Sequence, residues 1–159
     1  MKTNLYVAYG IDLNTVRMSQ LCQTAKPIAK SWLHDYRLVF RGKPYGAQAT
    51  IEPREDVSVP VVVWEISPTD EKSISFWNEA DGGTYEMKHI SVEVDGEMKD
   101  ALVLIMNERD AEIRGVPNNT HLELMVQGYK SFNLDLNILT DALITAHQES
   151  IIKEAYKTL

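Results

Sequence analysis

Two short segments carry residues whose types and spacing suit chemistry. The first, YVAYGIDLN from Tyr6 to Asn14, is an apolar strand that turns through Gly10 into a helical pattern. Such a turn presents free backbone N–H groups at a helix N-terminus, and with the helix dipole they receive a carboxylate or phosphate. The same pattern also fits a plain strand–helix connection that binds nothing. The second, WNEADGGTY from Trp77 to Tyr85, puts Glu79 at a helix end before two glycines. A carboxylate held there among aromatic residues can have a raised pKa and act as a base. A solvated surface glutamate fits that pattern equally.

Other chemistry has less support. The four histidines (His34, His89, His121, His147) are scattered, and none sits at ligand spacing with a second His or a Cys. Cys22, the single cysteine, falls on an apolar helical face, where most cysteines are packing residues. There is no P-loop, no GxGxxG and no GxSxG elbow.

The elements that must position these segments can be read from patterning. Leu5 to Tyr9 reads as a strand, and a helix follows from about Leu13 to Cys22, capped by Asp12 or Asn14. Leu33 to Arg41 alternates, with Tyr36, Leu38 and Phe40 on one face. Ala47 to Glu52 reads as a short strand closed by Pro53, and Val57 to Ile66 as another, with Pro60 marking an edge or bulge. A short helix runs from Thr69 to about Ala80, where Gly82-Gly83 breaks it. Asp95-Gly96 between two alternating runs predicts a hairpin. Leu122, Met125, Val126 and Tyr129 define a helix with one buried face, and Leu136, Leu139 and Leu143 a second. The tail from Ile151 to Leu159 reads as helical too. Some six strands followed by helices predict an α+β fold with a mostly antiparallel sheet or barrel.

Length and composition set the outer bounds. The chain of 159 residues suits a single domain, residues 1–159, with one sizeable core. Its net charge is −7, without a dense Lys/Arg patch, which argues against a nucleic-acid backbone or an anionic membrane surface as partner. One cysteine permits no internal disulfide, and no apolar run resembles a signal peptide or a membrane span. The cytoplasm is the expected location.

Five segments then carry a resemblance. YVAYGIDLNTVRM resembles the opening YxAYGSNLNxxRM of the γ-glutamylcyclotransferase-like (AIG2-like) family. LHDYRLVFRG, AQATIEP, VPVVVWEISPTDEKS and VPNNTHLELMVQGY are similar to its later signatures, in the same order. The resemblance spans Leu5 to about Leu143. It implies a small mixed, mostly antiparallel β-barrel with surrounding helices. It also implies an enzyme that releases 5-oxoproline and a free amine from a γ-glutamyl amine or peptide. No metal or cofactor is used in that family; the partner is a small γ-glutamyl molecule, and a monomer or homodimer is expected.

The family's catalytic segment commonly reads LDxYEGxPxxY, with the glutamate six residues before the tyrosine. Counting back from Tyr85 gives Glu79, while Ser75, Phe76, Asn78 and Ala80 replace the leucine, aspartate, tyrosine and glycine. The resemblance thus implies Glu79 as general acid/base. It implies Tyr6, Val7, Ala8, Tyr9, Gly10, Ile11, Asp12, Tyr85 and His121 as substrate-binding.

Three of these depart from the family pattern. Ile11 removes a hydroxyl, Asp12 replaces an asparagine, and His121 stands where a substrate-contacting tyrosine is common. Asp12 next to a bound carboxylate would be repulsive by up to about 4 kcal/mol at 4 Å with an effective dielectric of 20. Alternatively it caps the helix or recognises a cation. The departures leave two functional classes: an enzyme acting on an altered γ-glutamyl substrate, or a catalytically degenerate binding or interaction module.

Overall fold

The valine-rich run ending at Ile66 and the short run Asn4–Ala8 lie side by side at the middle of one sheet. In the computed structural model, which describes residues 2–80 and 82–157, five strands pair in the order β2-β3-β1-β5-β4. They are β1 (Asn4–Ala8), β2 (Lys26–Arg41), β3 (Gln48–Ile66), β4 (Tyr85–Val94) and β5 (Glu97–Met106). β1 runs antiparallel to β3, with Val7 opposite Val63, and parallel to β5, with Val7 opposite Val103. A strand with neighbours on both sides and both faces covered needs no polar alternation. This is why Tyr6, Val7 and Ala8 are all buried.

The β4–β5 hairpin turns at Asp95 (φ 51°) and Gly96 (φ 82°), the paired left-handed conformations that match strand twist. The β2–β3 hairpin differs from expectation. Pro53 does not close a strand; it sits inside β3 opposite Tyr36, and Pro60 lies opposite Trp32 on a stretch paired on one side, the edge its residue type suggested. β1 flanks only the last part of β3, from Val62 to Ile66. Before that β3 is paired on one side, so a proline without an N–H is tolerated. The long hairpin bends where the register shifts between His34 and Tyr36. Asp35 and Asp56 both adopt φ 65° there, and the Asp56 N–H donates to Asp35 Oδ1.

The sheet is not closed into a barrel, which corrects the expected closure. Its edge strands, β2 and β4, form no ladder with each other among the described residues. Helices pack against the sheet instead. α4 (Asn119–Ser131) lies against the turn after β1, and α5 (Leu136–Lys157) crosses β2. α5 joins the two C-terminal helices read from sequence, since no Gly or Pro falls between Leu136 and Lys157; residues 158 and 159 lie outside the described residues. The sheet holds α5 through Arg41, 2% exposed, which donates to Glu52 and Glu149.

The first helix is also shorter than expected. A 3₁₀ turn spans Ile11–Leu13, and α1 (Thr15–Leu21) follows, capped by the Asn14 side chain on the Arg17 N–H. α2 (Pro68–Trp77) starts with a capping box between Ser67 and Asp70. It ends three residues before the expected Ala80, because Glu79 takes a left-handed conformation, φ 53°. A short α3 (Glu108–Ala111) follows β5. Gly128 lets α4 approach the 3₁₀ turn; a Cβ there would lie 2.6 Å from Leu13 Cβ.

Candidate active site

The turn after β1 is organised by a buried carboxylate. Asp12 is 4% exposed and does not cap α1. Its Oδ2 accepts from the Tyr6 hydroxyl at 2.6 Å, and its Oδ1 accepts from Arg17 Nε at 2.9 Å. Asn78 Nδ2 also donates to Oδ2, at 3.3 Å. A buried charge is tolerable only when paired and hydrogen-bonded, and this one has an opposite charge and two further donors. The repulsion expected from sequence therefore meets a compensating guanidinium 2.9 Å away.

On the other side of the site, α2 ends at Asn78 and the chain reverses through Glu79. Gly83 makes this reversal possible. A Cβ at position 83 would lie 2.5 Å from Glu79 O and 2.7 Å from Glu79 Cβ, so only glycine fits. The Tyr85 N–H donates to Glu79 O, and Thr84 Oγ1 donates to Glu79 Oε2 at 3.3 Å. Asn107 Nδ2 holds the far side of the loop, donating to Gly83 O at 2.8 Å and Thr84 O at 3.1 Å.

These two turns face one cleft of about 220 Å³. Tyr9, Gly10, Ile11 and Asp12 form one wall, with Tyr6 beneath. Trp77, Asn78 and Glu79 form the opposite wall, and Glu79 is exposed at the mouth. Tyr85 and His121 line it as well. Val7 and Ala8 do not. They are 0% and 1% exposed in the core, because β1 is covered on both faces.

Two of the phenols are committed to backbone oxygens. The Tyr9 hydroxyl donates to Leu104 O at 2.5 Å and the Tyr85 hydroxyl to Ala49 O at 2.6 Å. Burial pushes both, and Tyr6, above the ordinary phenol range. They remain neutral and can still accept hydrogen bonds. His121 Nε2 accepts from the Ala49 N–H at 3.2 Å. That bond requires Nε2 to be bare, so the neutral ring carries its proton on Nδ1. Burial, and next the Arg17 guanidinium, lower its pKa to about 4.

Sequence reading did not single out Arg17, Gln48 or Asn78, all of which line the cleft. Arg17 lay inside the quoted opening segment, five residues after Asp12, outside the three- or four-residue spacing that pairs charges on one helix; the break between the 3₁₀ turn and α1 brings the two together. Asn78 is marked only as a departure from the family's catalytic segment, and nothing local marks Gln48. Trp77 is 61% exposed and borders the cleft. Among the described residues no group of three or more His, Cys, Asp or Glu is arranged to hold a metal ion. No helix among them is long and apolar enough to cross a membrane.

Comparison with known proteins agrees on fold and family. The sequence profile of the γ-glutamyl cyclotransferase, AIG2-like family matches residues 6–124. A solved structure described as a γ-glutamyl cyclotransferase superposes with a TM-score of 0.78 at 23% identity, covering 89% of this chain and 86% of the other. An uncharacterised protein from Homo sapiens superposes at 0.77 with 21% identity, covering 89% and 87%. A yeast γ-glutamyl cyclotransferase specific to glutathione gives 0.61 at 12% identity, covering 94% and 97%. At these identities the structural likeness speaks to fold alone. No curated protein sequence matches the chain.

Proposed function

From the premise that this chain belongs to the γ-glutamyl cyclotransferase, AIG2-like family, we propose that it cyclises a γ-glutamyl amine or peptide, with Glu79 as general acid/base. The observation that carries this reading is the meeting of Glu79 and the Tyr9–Gly10 turn across one cleft. The substrate's α-carboxylate is received at the 3₁₀ turn, whose first N–H groups have no partner within the turn. Its γ-carbonyl then lies between the two walls. The α-amine arrives as an ammonium and gives a proton to Glu79. The freed nitrogen attacks the γ-carbonyl carbon, closing a five-membered ring, and the bond to the leaving amine breaks. Glu79 returns that proton to the leaving nitrogen, the ring nitrogen sheds its second proton, which the released amine takes up, and 5-oxoproline and the amine leave with no net proton change. The nucleophile is tethered to its electrophile, so the protein's main task is to hold the folded-back conformer. Nδ1–H of His121 is a neutral donor on the cleft wall. The chemistry as written calls on no metal or cofactor. A monomer or homodimer in the cytoplasm, acting on a small γ-glutamyl molecule, completes the proposal.

The test is mass-spectrometric detection of 5-oxoproline from a panel of γ-glutamyl amino acids, γ-glutamyl amines and glutathione. Glu79→Gln is expected to keep the fold and to lose turnover by about 10²–10⁴-fold, the range of a lost acid/base. Equal turnover by both proteins would remove the assignment of Glu79. A second reading, a binding module without turnover, draws on the exposure of Glu79 at the cleft mouth. It expects no 5-oxoproline from any panel member, and a γ-glutamyl ligand that raises the melting temperature whatever residue 79 is.

A further inference from the structure

We infer that Asn78 is a positioning residue for Glu79, and that Asp12 and Arg17 act on the chemistry through it; the part concerning chemistry rests on the reading of Glu79 proposed above. Asn78 bridges three elements with one amide. Its Nδ2 donates to Ile74 O at 2.9 Å, closing the last turn of α2, and to Asp12 Oδ2 at 3.3 Å across the cleft. Its Oδ1 accepts from Arg17 Nη2 at 3.3 Å. Arg17 and Asp12 are themselves joined at 2.9 Å, so guanidinium, carboxylate and amide form a closed ring of three contacts. The Tyr6 hydroxyl fixes the carboxylate from below at 2.6 Å.

This ring has a mechanical consequence. Glu79 is the next residue after Asn78 and leaves the helix in a left-handed conformation that a non-glycine residue seldom holds unaided. Its side chain is exposed, and among the described residues the hydrogen bond that holds its carboxylate comes from Thr84 at 3.3 Å. Packing therefore does little to fix it. The backbone at 78 must supply the rigidity, and the Asp12–Arg17 pair is what anchors that backbone to the substrate-facing turn. Asp12 and Asn78 are also two positions where this sequence leaves the family pattern, and here they touch. The charge added at 12 is used by the amide placed at 78.

The experiment uses the full chain and two readouts. Backbone ¹⁵N relaxation of Glu79, Ala80 and Thr84 is measured in wild type, Asn78→Ser and Asp12→Asn. Steady-state turnover is measured for the same proteins, and for Asn78→Ser in a Glu79→Gln background. The clamp expects wild-type amides at these positions to be as rigid as those of β4, and both variants to loosen them. It expects kcat to fall by about 10–100-fold with KM within about threefold, as for a misplaced reacting group. It also expects no further loss from Asn78→Ser once Glu79 is Gln, which a merely structural role would not produce. Unchanged amide dynamics in folded Asn78→Ser overturns the clamp, and so does an equal loss in both backgrounds. If Asp12→Asn does not fold, Asn78→Ser decides alone, since Asn78 is only half-buried. A wild type without turnover defeats the catalytic reading and leaves the relaxation data to decide the clamp.

Discussion

His121 offers a test in which the sign is fixed by the structure. Its ring is pushed down from about 6.5 to about 4 by burial and next by the Arg17 guanidinium. Protonation at Nε2 would also break the bond from the Ala49 N–H. The unfolded chain therefore binds a proton at His121 between pH 6.5 and 4, where the folded chain does not. Stability rises with pH wherever the unfolded state holds more protons, so this contribution is complete above about pH 6.5 and is lost as pH falls toward 4. A shift of this size corresponds to about 3 kcal/mol, and on the order of 2 kcal/mol after discounting for the partial exposure of the ring. Urea unfolding of wild type and His121→Gln would be compared from pH 7.5 to 4.5. Glutamine can still accept from the Ala49 N–H but does not titrate, and the other histidines and the carboxylates cancel in the difference. The stability advantage of wild type over the variant should shrink by about 2 kcal/mol as pH falls. A difference that stays flat would refute the buried, neutral ring. A difference that grows toward low pH would mean that Asp12 or Glu79 stabilises an imidazolium, reversing the assigned tautomer and charge.

Two further outcomes follow from packing. Cys22 is 3% exposed, its Sγ lies 3.7 Å from Asp70 O, and burial, then the Asp70 charge, pushes its thiol up to about 12. A disulfide reagent at pH 7 should label the native protein at least about a thousandfold more slowly than free cysteine, at a rate that tracks unfolding as urea is added. Rapid labelling without urea would show that α1 is not seated on α2. Gly128→Ala should destabilise by about 1–3 kcal/mol in urea despite the better helix propensity of alanine. The new Cβ would meet Leu13 Cβ at 2.6 Å and Leu13 O at 2.9 Å. A stabilised variant would contradict the close approach of α4 to the 3₁₀ turn.

What could be read locally was read well where neighbouring residues carry the signal. Asp95-Gly96 specifies its own turn because both residues accept left-handed backbone. The helix read from Thr69 starts at Pro68, one residue earlier, behind a Ser67–Asp70 capping box closed within four residues. Motif order over most of the chain identified the family, and the profile match over residues 6–124 agrees. Counting from Tyr85 placed Glu79 in the segment that faces the Gly10 turn.

Other readings failed where the deciding partner is distant in sequence. Pro53 looks like a strand breaker until β3 is seen to have a neighbour on only one side there. A barrel was expected, yet closure depends on whether β2 and β4 pair, and among the described residues they form no ladder. Val7 and Ala8 share a motif with Tyr6 and Tyr9 but not a surface, because both faces of β1 are covered. Asp12 had three possible roles by itself. Its environment came from Tyr6, Arg17 and above all Asn78, sixty-six residues away in sequence. The sequence by itself thus determined the family, the turn chemistry and the presence of a glutamate at the family's spacing. Tertiary structure decided which charges are paired and which groups share the cleft, because desolvation and hydrogen-bond partners depend on where distant segments meet.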